Sequence, residues 1–222
     1  MMTNLFSIFD PSSSFNMSLN WLATLLVMIL LPYSFWLIPS RIYFFWTMIS
    51  YYLIQELNSL FLKKMKKFIF FYMILFWFIL INNFMGLFPY IFTSTSHINL
   101  TTILAIPSWL TLMLYGWINQ TNYMFSHLVP TGTPMPLSVF MVLIETISNL
   151  IRAITLAIRL SANMISGHLL LCLLSNILES IPNLFPIIMP LLTILLILEM
   201  AVAIIQSYVF ITLSSLYLNE LN

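Results

Sequence analysis

Charge is what this sequence lacks most. Only 6% of its 222 residues are Asp, Glu, Lys or Arg, against about a quarter in an ordinary soluble domain. So few charges cannot cover a water-facing surface, and 61% of the chain is hydrophobic, so most of it must be solvated by lipid. The formal net charge of +1 excludes bulk attraction to nucleic acid. Cysteine occurs once, at Cys172, which excludes an intrachain disulfide and reads as a small buried apolar residue. The four glycines, Gly86, Gly116, Gly132 and Gly167, build no phosphate-cradling loop, so no nucleotide is expected to bind this chain directly. His97 and His127 fall in segments that read as solvated loops, which leaves too few histidines for a pair of haems. No Cys/His cluster offers a metal site and no nucleophile–base–orienter set is present, so neither cofactor nor metal nor catalytic centre is expected.

What is present is a series of apolar runs. Residues 1–19 read as a polar arm with no basic residue before Arg41, so no secretory leader is expected. A membrane protein of that kind is expected to insert where it is made, and the load of Met, Ile, Phe and Asn fits AT-rich codons, as in an organelle genome. Residues 20–38 predict a first helix, near the lower limit for crossing the ~30 Å hydrocarbon layer, with Trp21 and Trp36 as interfacial anchors. Residues 41–67 mix Arg41, Gln55, Glu56 and Asn58 with aromatics and end in Lys63, Lys64, Lys66 and Lys67. That pattern predicts an amphipathic helix on the membrane surface, the alternative being a buried helix joining two spans. Residues 68–90 and 98–118 read as two spans in an antiparallel hairpin. The positive-inside rule sets the lysines on the side of synthesis, and the amino terminus and the 91–97 loop on the other.

Residues 119–134 read as a loop rich in breakers. A helix over 136–178 would then be ~65 Å long, and another is expected over 183–219. Both exceed a perpendicular span and must tilt steeply or lie nearly flat. The predicted fold class is an all-α integral membrane protein forming a single membrane domain over 1–222. No internal repeat relates its halves, which counts against an inverted-repeat transporter.

The long helix carries a charged stripe. Glu145, Arg152 and Arg159 are spaced by seven and seven, which returns each to nearly the same face. Asn149, Asn163 and Ser166 flank that line within about 80°. An arginine at mid-bilayer costs ~2.5–3.5 kcal/mol on insertion scales, so it needs a carboxylate or a water-filled path. Arg152 could pair with Glu145 or Glu179; Arg159 has no obvious carboxylate of its own. His168, nine residues past Arg159, points the opposite way on a straight helix. On the last helix Glu199 and Gln206 are again seven apart, and Ala201 and Ala203 would permit close helix approach.

These residues also carry a resemblance. "LAIRLSANMISGHLLL" closely resembles the signature of subunit a of F-type ATP synthase in its mitochondrial form, and the match extends to "FNMSLNWL", "NNFMGLFPY" and the pair Glu199 and Gln206. The opening "MMTNLFSIFDPSS" looks like the arthropod version. The resemblance implies one perpendicular helix, a surface helix, a membrane hairpin and two long tilted helices. That long pair would pack on a rotating proteolipid ring, the c-ring, beside other membrane and peripheral-stalk subunits. It implies a non-catalytic subunit of the mitochondrial inner membrane, with its amino terminus in the intermembrane space and the lysines at 63–67 on the matrix side. Two offset aqueous half-channels would couple proton flow to ATP synthesis on a separate head. Carried over residue by residue, Arg159 would face the ring carboxylate. Asn163, His168, Glu199 and Gln206 would form the inlet path and Glu145 the outlet path, with Arg152 in support. His168 with Glu199 reverses the order common in bacterial relatives, as the mitochondrial form usually does. A secondary transporter or ion-channel subunit is the alternative, and it would predict a repeat, a discontinuous helix or a second cluster of intramembrane charge.

Overall fold

The computed structural model describes residues 5–12, 17–32, 34–61, 66–119, 121–129 and 134–220, and every regular element among them is helical. Pro32 sets the first helix. A 3₁₀ turn at Leu19–Leu22 runs into α1, Ala23–Leu30, and Leu31 then turns to extended backbone at φ −63°, ψ 123°. A residue before proline is pushed out of the helical region, so the helix expected over 20–38 stops at its middle. Eight residues rise only ~12 Å, short of a bilayer crossing. Trp36, expected to anchor that helix, lies beyond its end and is exposed.

Helix α2, Arg41–Leu60, starts at Ser40, whose Oγ accepts the Tyr43 N–H at 3.3 Å. It ends earlier than the 41–67 expected. Phe61 leaves the helix at ψ 132° and its ring, 4% exposed, stacks on Tyr72 at 5.7 Å. Burying that ring turns the chain out of the helix. Lys66 and Lys67 sit in a separate turn, Lys66–Phe68, while Lys63 and Lys64 lie outside the described residues. Along α2 itself, Leu57 is the buried residue, so most of the helix presents aromatic and polar side chains outward.

Among the described residues four helices are long and apolar enough to cross a membrane: Lys66–Gly86, Ile98–Asn119, Leu137–Ser180 and Pro182–Asn219. They correspond to α3, Ile69–Gly86; α4, Ile98–Asn119; α6, Met135–Ser180; and α7, Phe185–Glu220. The expected hairpin of α3 and α4 is present as a connection, and Phe68 meets Tyr115 edge-on at 5.7 Å near its open end. Yet α3 packs mainly on α7 and α4 mainly on α6, and the two touch each other far less. The buried stripe of α4 explains its choice. Thr101, Ala105, Ser108, Leu112 and Gly116 recur at helical spacing and are mostly small, which admits the α6 backbone closely. The connection before α6 also departs from a plain loop: α5, Thr121–His127, forms where the breakers Pro130, Gly132 and Pro134 have not yet begun.

At 46 residues α6 is ~69 Å long, and at 36 residues α7 is ~54 Å long. Ile181 breaks α6 before Pro182, and a single 3₁₀ turn, Pro182–Leu184, reverses the chain into α7. The core lies where α3, α6 and α7 meet, around Tyr72, Phe76, Ile79, Leu160 and Phe210. Outside it, side chains such as Ile103, Phe140, Ile144, Ile194 and Ile197 stay exposed. In water such a surface would be an aggregation liability; facing lipid it needs no cover.

Candidate polar path between the long helices

The tight turn after α6 makes α7 run back along it, and polar side chains pair in one antiparallel register. Asn163 Nδ2 donates to Gln206 Oε1 at 3.0 Å. One turn further along α6, Glu199 lies flat against Gly167. A Cβ built on Gly167 would stand 2.8 Å from Glu199 Oε1 and 2.9 Å from its Cδ, so a glycine is what gives the carboxyl room. Glu199 is 8% exposed, and both of its oxygens are buried without a hydrogen-bond partner. His168, the next residue, is half-buried with an enclosed and unpartnered Nε2. Ala203 is buried in the same contact, whereas Ala201 faces outward. Cys172, read as buried, is half-exposed.

The same register carries Arg152, whose guanidinium lies 5.2 Å from the ring centre of Tyr217. Of the two expected carboxylates, Glu179 is ~40 Å farther along the same helix and out of reach. Tyr217 was missed from sequence, although it stands 18 residues, five full turns, past Glu199 and so on that residue's face.

Arg159 differs from all of these. It is exposed, and among the described residues its side chain has no hydrogen-bond or ion-pair partner. Ala157, Leu160 and Ser161 take the buried side of α6, while Thr155, Ala162 and Ser166 share the exposed side with Arg159. The register sets Phe210, 1% exposed, across the helix pair at this level. Glu145, half-exposed, lies ~21 Å along α6 on the far side of Arg159 from Glu199.

A family profile described as ATP synthase A chain matches residues 17–219. Curated relatives named ATP synthase subunit a are 57% identical in Drosophila yakuba and 56% identical in Drosophila melanogaster, over the whole of both chains. The relative from Locusta migratoria is 57% identical over 99% of each chain. The chain belongs to the ATP synthase A chain family. For a member of this family the apolar, multi-helix architecture is that of a multi-pass membrane protein.

A second polar group, which sequence reading did not single out, adjoins the Glu199 site of this A-chain family member. Asn82, Asn83, Thr93, Ser94, Thr95 and Ser96 are all buried where α3 hands over to α4. Some of them satisfy one another. Ser94 Oγ donates to Asn82 Oδ1 at 3.4 Å, and the Thr93 and Ser96 hydroxyls are 3.1 Å apart. Others have no partner: both amide atoms of Asn83, Thr95 Oγ1 and His97 Nε2 are enclosed and unbonded. His97 is therefore not the solvated loop residue expected, its ring being held 5.1 Å from Trp21 and 5.2 Å from Phe92. Gly86 joins this group to the long helices, because a Cβ there would lie 3.2 Å from Thr93 Cγ2 and 3.3 Å from Met164 Cε. Met164 is one turn before Gly167 and His168 on α6. Gly86 and Thr93 thus lie beside the stretch of α6 that leads to Gly167 and His168. His127, the other loop histidine, has no described side chain.

Proposed function

We propose that this chain is the proton-translocating stator subunit of an F-type ATP synthase in the mitochondrial inner membrane, and that α6 and α7 run tilted against a ring of proteolipid subunits. The observation that carries the reading is Arg159: an exposed guanidinium amid apolar helix, without a partner among the described residues. A charge in that setting calls for a carboxylate supplied from outside, and the ring carboxylates of the resembled complex are of that kind. A guanidinium keeps its charge where a lysine could lose its proton, so it favours the ionised carboxylate as it passes and opposes a direct proton leak past it.

The inlet path follows the unpartnered buried polar atoms. Buried polar groups without protein partners are the ones that bind ordered water. Such atoms run from His97, Thr95 and Asn83 past Met164 to His168 and Glu199. The Asn163–Gln206 bond continues the line to within ~6 Å of Arg159 along α6. Glu145, beyond Arg159, begins the outlet, and Arg152 supports it. The amino terminus then faces the intermembrane space and the lysines face the matrix. Nucleotide chemistry belongs to other subunits of the complex, and this chain binds the ring and the peripheral stalk.

The test is ATP-driven proton pumping in membranes carrying Arg159→Ala. Assembly should persist, because the side chain is exposed, while pumping should fall by about 100-fold or more, as when a preorganised charge is removed from its site. Normal pumping in a fully assembled complex would sink the proposal.

A further inference from the structure

A large groove lies away from the polar path. It has a volume of about 660 Å³ and runs between α2 and the first half of α3. Its two ends differ. Lys66 and Asn58 stand at one end, Ser50 is midway, and Phe70, Ile74 and Trp77 make the apolar floor. The far end is marked by Trp77, whose ring is tilted against that of Trp46 with ring centres 4.0 Å apart. From Lys66 to Trp77 is 11 residues, or ~17 Å of helix, close to the ~15 Å of hydrocarbon in one leaflet. The mouth is open sideways, since Phe70 and Ile74 are exposed.

We infer that this groove is a binding site for one anionic diacyl phospholipid, with its phosphate held by Lys66 and Asn58 and an acyl chain laid along α3 to the Trp46–Trp77 pair. The charged end selects a negative head group, and Lys66 belongs to a run with Lys63, Lys64 and Lys67 in sequence, the kind of juxtamembrane basic cluster that attracts anionic lipid. The apolar length of one leaflet fits a chain entering from that same surface. A transmembrane helix of a partner would need an apolar groove at both ends, and this one begins at a lysine. The inference is independent of the proton path, because none of its residues belongs to that path.

Trp77 reports on the site directly. The full chain, reconstituted in phosphatidylcholine vesicles, is titrated with brominated phosphatidylglycerol or, at equal mole fraction, brominated phosphatidylcholine. The Trp77→Phe variant isolates the Trp77 signal. Quenching of Trp77 should favour the anionic lipid about five-fold, the preference expected from one basic contact. Lys66→Ala should remove the preference, Lys66→Arg should restore it, and Lys67→Ala, with the same loss of charge beside the groove, should keep it. Lys66 is exposed, so its replacement leaves the fold intact. Equal quenching by the two lipids, or equal losses in Lys66→Ala and Lys67→Ala, would overturn the site. So would protection of Trp77 from both lipids in the assembled complex, which would assign the groove to a polypeptide.

Discussion

Arg152 and Arg159 stand on one face of one helix, two turns apart, and meet opposite surroundings. Arg152 is gathered in over the Tyr217 ring. Arg159 faces outward, level with a buried phenylalanine of α7. Both have the same side chain and the same helical phase, so the difference comes from what α7 carries at each level of the antiparallel register. Where α7 brings the Gln206 amide or the Tyr217 ring, the α6 residue is used inside the chain. Where it brings the buried Phe210, the α6 residue stays exposed, as the proposed ring contact requires. The comparison therefore ranks residues by whether their partner lies in this chain or beyond it, and variants test the ranking from the largest effect downward. Loss of Arg159 heads the list, and the others are measured against it.

Glu199→Leu comes next. The carboxyl is buried without a partner, so an apolar residue of similar size removes a desolvated group and should leave stability unchanged or improved. Passive proton conductance should fall about 100-fold, the scale of losing a positioned acid–base group. An unchanged conductance would remove Glu199 from the proposed inlet path. Gly167→Ala asks the same question without touching a titratable group. The added methyl meets the flexible end of Glu199, so the carboxyl swings aside while the helix stays. Conductance should drop roughly ten-fold, as a misplacement of about 1 Å can cost that or more, with little change in thermal stability. A large loss of stability with normal conductance per folded complex would make Gly167 a packing residue alone.

Asn83→Leu sharpens the comparison on the inlet side. Asn83 is fully buried and neither amide atom is bonded, so a purely structural role predicts that leucine is tolerated in every assay. A place on a hydrated path predicts instead a few-fold slower proton uptake at unchanged or higher melting temperature, a scale set by one water-mediated contact. Uptake equal to that of the parent chain would confine the inlet to α6 and α7.

The helical architecture was legible because composition left few alternatives, and the long helices because proline is missing between Pro136 and Pro182. The error in the first helix came from weighing apolar length over Pro32, a single residue that acts through backbone sterics. For the site, seven-residue spacing was enough to put Glu199 and Gln206 on one face. It could not say that Glu199 would press on Gly167, because that depends on where two helices cross. Asn83, Thr95 and His97 were hidden for a different reason. Ser, Thr and Asn beside a turn read as ordinary loop chemistry, and burial by a third helix is what makes them unusual.

The smallest effect should come from the clamp on Arg152. A cation held over an aromatic face contributes about 0.5–2 kcal/mol, so Tyr217→Leu should lower stability by that amount and pumping by no more than about two-fold. Arg152→Gln should lower stability at least as much, and the double variant should fall short of the sum of the two, since both single changes remove the cation–ring contact. Tyr217→Phe keeps the ring face and should be silent. If Arg152→Gln abolished pumping while Tyr217→Leu did not, the arginine would be acting on something outside this chain. The two arginines would then be equivalent, and the register would not be what separates them.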